Sequence, residues 1–204
     1  KPGDDIEAWL NRMLCLDATI VAPIASGYPM PDKCELYYIN RDTLFSYHRA
    51  SEAFLHRIMS LFVASHYKNT PNDLQMLADA PAHHLFCLLG PTDPNASSLP
   101  EVLCVIQVCL EGEISKDSVM HGLSRGQRAN GDLIPWTMAQ QFQDDNFPSL
   151  SGARIVRIAT HPEKQGRGYG KRAMELLTNY YEMKFVNMSD GSASTERTSM
   201  DAVD

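Results

Sequence analysis

Three glycines within five residues form the stretch whose residue types and spacing point to chemistry. They lie in the segment 165–171, which reads QGRGYGK. Glycine has no side chain, so the backbone of such a loop can approach a ligand closely and turn its N–H groups toward it. A loop of this composition suits an anionic group such as a phosphate.

The segments on either side of this loop have the patterns of elements that would position it. Residues 154–159 are rich in β-branched side chains and alternate polar with apolar at their start, as a half-buried strand does. Residues 169–180 place apolar side chains on one face of a helix. Because that helix would begin where the glycines end, its free N–H groups and positive dipole end would face the bound anion.

Two common phosphate-binding motifs do not fit this spacing. A dinucleotide-binding loop would need glycine at Lys171, and a P-loop would need glycine at Gln165 and Ser or Thr at Arg172. The pattern Gln-x-x-Gly-x-Gly between a strand and a helix instead resembles the coenzyme A pyrophosphate loop of the GNAT acetyltransferase superfamily. A glycine-rich turn without a ligand is the alternative interpretation.

The bulk composition indicates a globular protein of one domain or little more. With 204 residues, 44% of them hydrophobic, the chain can bury a sizeable core. No apolar run approaches the ~20 residues that span a bilayer, and the N-terminus lacks the pattern of a signal peptide. Five cysteines without a Cys-x-x-Cys pair favour buried thiols in a reduced, intracellular protein. The chain does not begin with Met, so we expect a piece of a longer protein.

The charge of the whole chain and that of the loop region differ. A formal net charge of −7 argues against nucleic-acid binding through overall charge. In contrast, residues 154–172 contain six basic side chains and one acidic one. A basic rim around the loop would favour a phosphate-bearing ligand, although a solvated surface explains the same residues equally well.

The other segments predict alternating helices and strands. We predict helices at 6–16, 42–66, from Pro71, at 115–123 and at 134–142, and strands at 83–89 and 102–110. The strand 102–110 is apolar on both faces except at Gln107, which is typical of a central strand. The Pro- and Gly-bearing stretch before residue 40 suggests a boundary, and residues 188–204, rich in Ser, Thr and Asp, are predicted to be disordered or a linker.

Several longer segments extend the resemblance: SHYKNTPNDLQMLADAPAHHLFCLL, LPEVLCVIQVCLEGEIS, GDLIPWTMAQQFQ and RIVRIATHPEKQGRGYGKRAMELL. Together they resemble the acetyltransferase domain of the eukaryotic RNA cytidine acetyltransferases, over about residues 1–187. The resemblance implies an α/β GNAT-type fold with a mixed central sheet flanked by helices. It also implies that the fold is incomplete at the C-terminus, that 1–40 connect to a preceding helicase-like module, and that 41–187 form a partial acetyltransferase domain.

The resemblance also implies acetyl-CoA as cofactor. Its pyrophosphate would lie on the backbone N–H groups of the loop, and its pantetheine would run beside the end of the preceding strand. The predicted cofactor-binding residues are Ile158, Ala159, Thr160, Gln165, Gly166, Arg167, Gly168, Tyr169, Gly170 and Lys171.

The acceptor implied by the resemblance is N4 of cytidine, a weak nucleophile because this amine is conjugated with the ring. A general base would therefore help, and a backbone N–H within 158–160 would stabilise the oxyanion. Of the seven histidines we predict His66 as the base, because it ends a long helix beside a polar break. A histidine favoured there by the helix dipole is the alternative. Tyr67 and Lys68 could contact RNA.

Three of the remaining histidines have structural interpretations. His161 precedes a proline and suits a turn, and His83 and His84 begin a strand. No pair of histidines has the spacing of metal ligands, so we predict no metal.

Four other side chains leave two interpretations open. Arg125 and Arg128 could touch phosphate or belong to a solvated loop, and Trp136 and Phe142 could stack on a base or belong to the core.

The resemblance finally implies partners and a location. These are small-subunit rRNA and tRNA as substrates, guide snoRNA, a tRNA adaptor protein, the pre-ribosomal small-subunit particle, and ATP with Mg²⁺ in the helicase-like module outside this chain. The expected location is the nucleolus in the nucleus, with no membrane partner; a homodimer is an open possibility. Two alternatives remain: a protein lysine acetyltransferase, and a non-catalytic coenzyme A-binding scaffold in a pre-ribosomal particle.

Overall fold

The computed structural model describes residues 3–25, 27–66, 70–91 and 99–184. Its helices are α1 Asp5–Met13, α2 Arg41–Leu44, α3 Arg49–Ser65, α4 Pro71–Asp79, α5 Lys116–Ser124, α6 Leu133–Phe142 and α7 Tyr169–Tyr181. Its strands are β1 Glu35–Tyr38, β2 His83–Leu89, β3 Val102–Gly112 and β4 Ser151–Thr160. Short 3₁₀ turns lie at Pro31–Lys33, Phe147–Ser149 and Pro162–Lys164.

The four described strands form one sheet in the order β1-β2-β3-β4, and each neighbouring pair is antiparallel. The α/β fold with helices flanking a sheet is as expected, but the described sheet is antiparallel rather than mixed. Helices connect β1 to β2 and β3 to β4, and both of these pairs are antiparallel. Within the described part of the chain no strand follows α7 that could add a parallel pair.

Helices cover both faces of the sheet because successive strand residues point to opposite sides. On one face α3 packs Phe54, Ile58 and Phe62 against Leu85, Cys87 and Val105. On the other face α7 packs Tyr169, Ala173 and Leu177 against Phe86, Leu88 and Ile106. In β3 all residues from Val102 to Cys109 are buried, as predicted for a central strand.

The stretch 1–40, which we assigned to a connector, contributes in part to this fold. Strand β1 pairs with β2, and Cys15, Ala18 and Cys34 are buried in the two cores. The strand is only four residues long and half-buried, so its pattern is weak. The presence of a preceding module stays a prediction, and the predicted linker 188–204 lies outside the described residues.

The helix predicted over 42–66 is interrupted. Tyr47 has a φ of 61°, in the left-handed region, and His48 then caps a new helix by accepting the Ala50 N–H through Nδ1 at 3.3 Å. The predicted strand 83–89, the helix from Pro71 and the Ser115-capped helix are confirmed. All five cysteines are buried free thiols. No described helix has the length and apolar character needed to cross a membrane.

Candidate active site

The glycine loop leads from β4 into α7. Gly166 and Gly168 have φ of 72° and 89°, in the left-handed region that favours glycine. Gly168 caps α7 and has no side chain to occupy the N–H groups of the first turn. The Arg172 N–H makes a helical bond to the Gly168 carbonyl at 2.9 Å. The N–H groups before it, in 169–171, have no carbonyl within the helix and can face an anion.

The start of α7 packs directly on the end of β4. A Cβ atom added to Gly170 would lie 3.2 Å from Oγ1 of Thr160, so only glycine fits this contact without displacement. A Cβ added to Gly166 would meet nothing within 4 Å, so the loop has an open side. Thr160 and Gly170, one from each group of predicted cofactor residues, are thus in contact, and the open backbone of the loop fits a pyrophosphate.

Strand β4 is an edge strand of the described sheet. One side pairs with β3, and the register shifts so that Gln107 faces Arg157 while Val108 faces Ile155. Val156 is therefore the extra residue of a β-bulge, which bends the strand before the predicted cofactor residues. The backbone groups on the other side of β4 can pair with an extended ligand, as a strand edge does.

His66 reaches this strand from the other face of the sheet. It follows α3, and its backbone N–H bonds to the Phe62 carbonyl at 2.9 Å. Its ring makes a hydrogen bond with the backbone of Ile158. The structure thus places the predicted base against the strand that carries the predicted cofactor residues. Tyr67 and Lys68 lie outside the described residues.

A charged pair stands beside His66. Arg157 forms a 2.6 Å ion pair with Asp73, and its guanidinium lies 5.9 Å from the centre of the Phe62 ring. Burial alone would raise the pKa of Asp73, but hydrogen bonds from Thr70 and Arg157 outweigh it and lower the pKa. These contacts fix the Arg157 charge close to the imidazole.

The pKa of His66 is lowered, first by burial and then by the positive charge of Arg157, while the bond with Ile158 opposes the change. A lowered pKa keeps the imidazole neutral at physiological pH, which a general base requires. The neutral ring can accept a proton from a group that reaches its Nε2 atom, which is buried in this structure.

The six basic side chains expected around the loop fall into two groups: four have partners elsewhere in the fold, and two are exposed. Four of its side chains bond to carboxylates or carbonyls of other elements: Arg154 to Glu111 at 2.5 Å, Arg157 to Asp73, Lys164 to the Gly27 carbonyl, and Arg172 to the Cys34 and Asp32 carbonyls. Arg167 and Lys171 remain exposed at the loop. Lys171 is 82% exposed and lies 3.8 Å from Glu175.

Three of the other histidines have structural partners. His161 is buried and bonds to the Ala22 carbonyl at 3.0 Å, while its Nδ1 accepts the Glu163 N–H, which confirms the turn role. His83 lies 3.0 Å from the Gln107 amide, and His84 lies 3.1 Å from the Tyr181 hydroxyl. Among the described residues no group of three or more His, Cys, Asp or Glu side chains could hold a metal.

The other candidates lie on α5, α6 and the loop between them. Trp136 is 4% exposed and packs with Val119 in a small core, so the core interpretation is confirmed for it. Phe142 is 68% exposed, and Arg125 and Arg128 are exposed as well. Base stacking by Phe142 and phosphate contact by the arginines stay predictions.

Sequence reasoning missed the contacts of residues 22–25 and 27–34, which we call the strap. Its carbonyls at Ala22, Gly27 and Pro29 accept bonds from His161, Lys164 and Tyr169. Every residue type has a backbone carbonyl, so no sequence motif predicts these contacts. The Pro- and Gly-bearing composition instead indicated a connector.

Comparison with known proteins finds matches over most of the chain. A family model described as GNAT acetyltransferase 2 matches residues 57–204. The chain is 66% identical over 184 residues to the RNA cytidine acetyltransferase of Homo sapiens, covering 90% of this chain and 18% of that protein. It is 61% identical over 193 residues to that of Saccharomyces cerevisiae, with 93% and 18% covered. For Achlya ambisexualis the identity is 66% over 185 residues, with 89% and 50% covered.

Proposed function

Since the chain belongs to the GNAT acetyltransferase 2 family, we propose that it is the part of a larger enzyme that binds acetyl-CoA and acetylates N4 of cytidine in RNA. The name of the relatives, RNA cytidine acetyltransferase, supports cytidine as the acceptor. The chain spans 18% of the human and yeast relatives, so the activity of the complete protein is part of this proposal.

One contact carries the proposal. The His66 ring bonds to the backbone of Ile158, two residues before Thr160, which packs against the Gly170 position of the loop. Strand β4 thereby connects the neutral imidazole of His66 with the glycine loop, and its own open edge lies between them.

In the proposed site, backbone N–H groups of 165–171 hold the pyrophosphate, and the edge of β4 at 158–160 holds the pantetheine. When bound, acetyl-CoA supplies the acetyl group as a thioester. A backbone N–H within 158–160 stabilises the negative charge that develops on the carbonyl oxygen during attack.

His66 takes the proton from the N4 amine. This amine is a poor nucleophile because its lone pair is shared with the pyrimidine ring, so removal of its proton during attack lowers the barrier. The neutral state of His66 follows from burial and from the charge of Arg157. As the amide bond between N4 and the acetyl carbon forms, the C–S bond of the thioester breaks and coenzyme A leaves as the thiolate, so direct transfer needs no covalent intermediate on the protein.

The wider proposal concerns the complete protein. We propose small-subunit rRNA and tRNA as substrates, ATP with Mg²⁺ in a separate module, guide snoRNA, a tRNA adaptor protein and the pre-ribosomal particle as partners, and the nucleolus as the location. A homodimer also belongs to this proposal. These points rest on the family resemblance of the segments quoted above.

The test uses the complete parent protein with labelled acetyl-CoA, ATP and Mg²⁺. One reaction contains a small-subunit rRNA or tRNA transcript, and the other contains histones. We expect N4-acetylcytidine in the RNA, identified by nucleoside analysis. We further expect His66→Gln to lower the rate about 10²- to 10⁴-fold, the usual contribution of a general base, without changing acetyl-CoA affinity. His121→Gln, an exposed histidine on α5, is the matched control and should keep the wild-type rate.

The other outcomes separate the alternatives. Label on lysines alone would reject RNA as the acceptor and favour a protein lysine acetyltransferase. Acetyl-CoA binding without any transfer would favour a coenzyme A-binding scaffold. A wild-type rate for His66→Gln would reject His66 as the base while leaving the donor site intact.

A further inference from the structure

The strap, residues 22–25 and 27–34, contacts the segments on both sides of the glycine loop. Before the glycines, the Ala22 carbonyl lies 3.0 Å from Nε2 of His161, and the Gly27 carbonyl accepts a bond from Nζ of Lys164. After them, the Tyr169 hydroxyl donates to the Pro29 carbonyl at 2.7 Å. His161, Lys164 and Tyr169 are all buried at these contacts. The strap therefore helps to fix where the loop begins and ends.

Tyr28, between the strap residues Gly27 and Pro29, contacts the exposed guanidinium of Arg167 in the loop. The Arg167 guanidinium carbon lies 3.8 Å from the centre of the Tyr28 ring, and Nζ of Lys164 lies 3.7 Å from it. Tyr28 is 57% exposed, so its ring does not serve the core. In the described ranges no carboxylate forms an ion pair with Arg167.

A guanidinium stacked on an aromatic ring is held in place through its face. The N–H groups lie in the plane of the guanidinium and stay available at its edge, in a fork that matches the oxygens of a phosphate. Stacking also limits the freedom that the side chain would otherwise lose on binding. Stacking on Tyr28 therefore leaves the N–H edge of Arg167 available at the loop.

We propose that the strap is an integral part of the coenzyme A site, and that Tyr28 holds Arg167 to bind the 3′-phosphate of coenzyme A. This inference rests on the proposed function. In the proposed function, backbone N–H groups at the start of α7 bind the pyrophosphate. The Arg167 side chain instead extends to the strap and is available for another phosphate. Coenzyme A carries one phosphate beyond its pyrophosphate, the 3′-phosphate of its ribose.

Binding to the complete parent protein, measured by calorimetry, tests this assignment with two ligands. Acetyl-CoA and acetyl-dephospho-coenzyme A differ in the 3′-phosphate alone. We expect the wild type to prefer acetyl-CoA on the order of tenfold or more, as for a charge-assisted hydrogen bond. Arg167→Gln and Tyr28→Leu should abolish this preference while leaving the affinity for the dephospho ligand unchanged. Tyr28→Phe keeps the ring and should keep the preference.

The control is Lys184→Gln, which removes the same charge near the opposite end of α7 and should keep wild-type affinities. A wild-type preference in Arg167→Gln, or equal weakening of both ligands by Tyr28→Leu, would overturn the inference. So would unchanged affinity for both ligands together with weaker binding of an RNA transcript, because Arg167 would then serve an RNA phosphate. If the wild type binds neither ligand, the proposed function itself fails, and this inference with it.

Discussion

At the scale of single residues, His66 owes its low pKa first to burial and then to the positive charge of Arg157. That charge is balanced by Asp73, whose 2.6 Å ion pair keeps the guanidinium in position. Removing Arg157 therefore has two effects on the imidazole. It deletes a nearby positive charge and leaves the Asp73 carboxylate without its cation, and both effects favour the protonated ring.

We accordingly expect Arg157→Gln to raise the pKa of His66 and to move the acid limb of the kcat/KM profile to higher pH. In the wild type the pKa lies below its ordinary value of 6.5, so the neutral form persists to lower pH than in a free histidine. Profiles of RNA acetylation between about pH 5.5 and 8.5 measure the shift. The double variant Arg157→Gln with Asp73→Asn should return the limb toward the wild-type position. Superimposable acid limbs in wild type and Arg157→Gln would contradict this role of Arg157.

At the scale of elements, the junction of β4 and α7 is the contact that aligns the loop with the strand edge. An alanine at Gly170 would place its Cβ 3.2 Å from Oγ1 of Thr160. This distance requires a displacement of a few tenths of an ångström. Alanine also improves the helix propensity by up to about 1 kcal/mol, so the fold itself has little to lose.

Gly170→Ala should therefore weaken acetyl-CoA binding on the order of tenfold while the melting temperature stays the same or rises. Binding calorimetry and a thermal melt separate the two effects. Adding Thr160→Ala removes the crowding hydroxyl and should restore most of the affinity. Equal affinity in wild type and Gly170→Ala would show that the junction tolerates the displacement.

The elements that the sequence predicts well are those with a strong pattern. The unbroken apolar run of β3, the Ser115 cap of α5 and the glycines before α7 each contain their own signal. Strand β1 has four residues, of which three are half-buried, too few for a period to show. The break before α3 depends on a tyrosine, Tyr47, in the left-handed region, which residue type does not predict.

The candidate site shows the same division. The loop was predicted from the glycine spacing, because each glycine is needed for a backbone conformation or a close contact. Two contacts of the site join residues that are far apart in the chain: Arg157 pairs with Asp73, and His66 contacts Ile158. A single sequence does not show which distant residues lie close together in the fold. The strap uses backbone carbonyls, which leave no residue pattern.

At the scale of the whole molecule, the sheet separates the two halves of the proposed reaction. Helix α7 and the glycine loop belong to one face, and α3, with His66 at its end, belongs to the other. The two meet at β4, where Thr160 touches the loop and Ile158 touches His66. In the proposed function, acetyl donor and RNA acceptor therefore approach β4 from opposite faces.

The same packing makes the stability of the fold sensitive to acid. Burial is the first cause that lowers the pKa of His66, His83 and His84, and the charges of nearby arginines add to it. As the pH falls through the ordinary histidine value of about 6.5, the unfolded chain takes up protons that the folded chain resists, so folding is destabilised.

We expect the melting temperature of the chain to be lower at pH 5.5 than at pH 7.5, with the loss beginning near the ordinary histidine pKa. Thermal melts followed by circular dichroism measure this change. His84→Gln retains a group that can bond to the Tyr181 hydroxyl but does not titrate, so the difference between the two pH values should shrink. His121→Gln removes an exposed histidine and should leave the difference unchanged. A melting temperature that is constant over this range would mean that the three imidazoles take up protons without resistance from the fold.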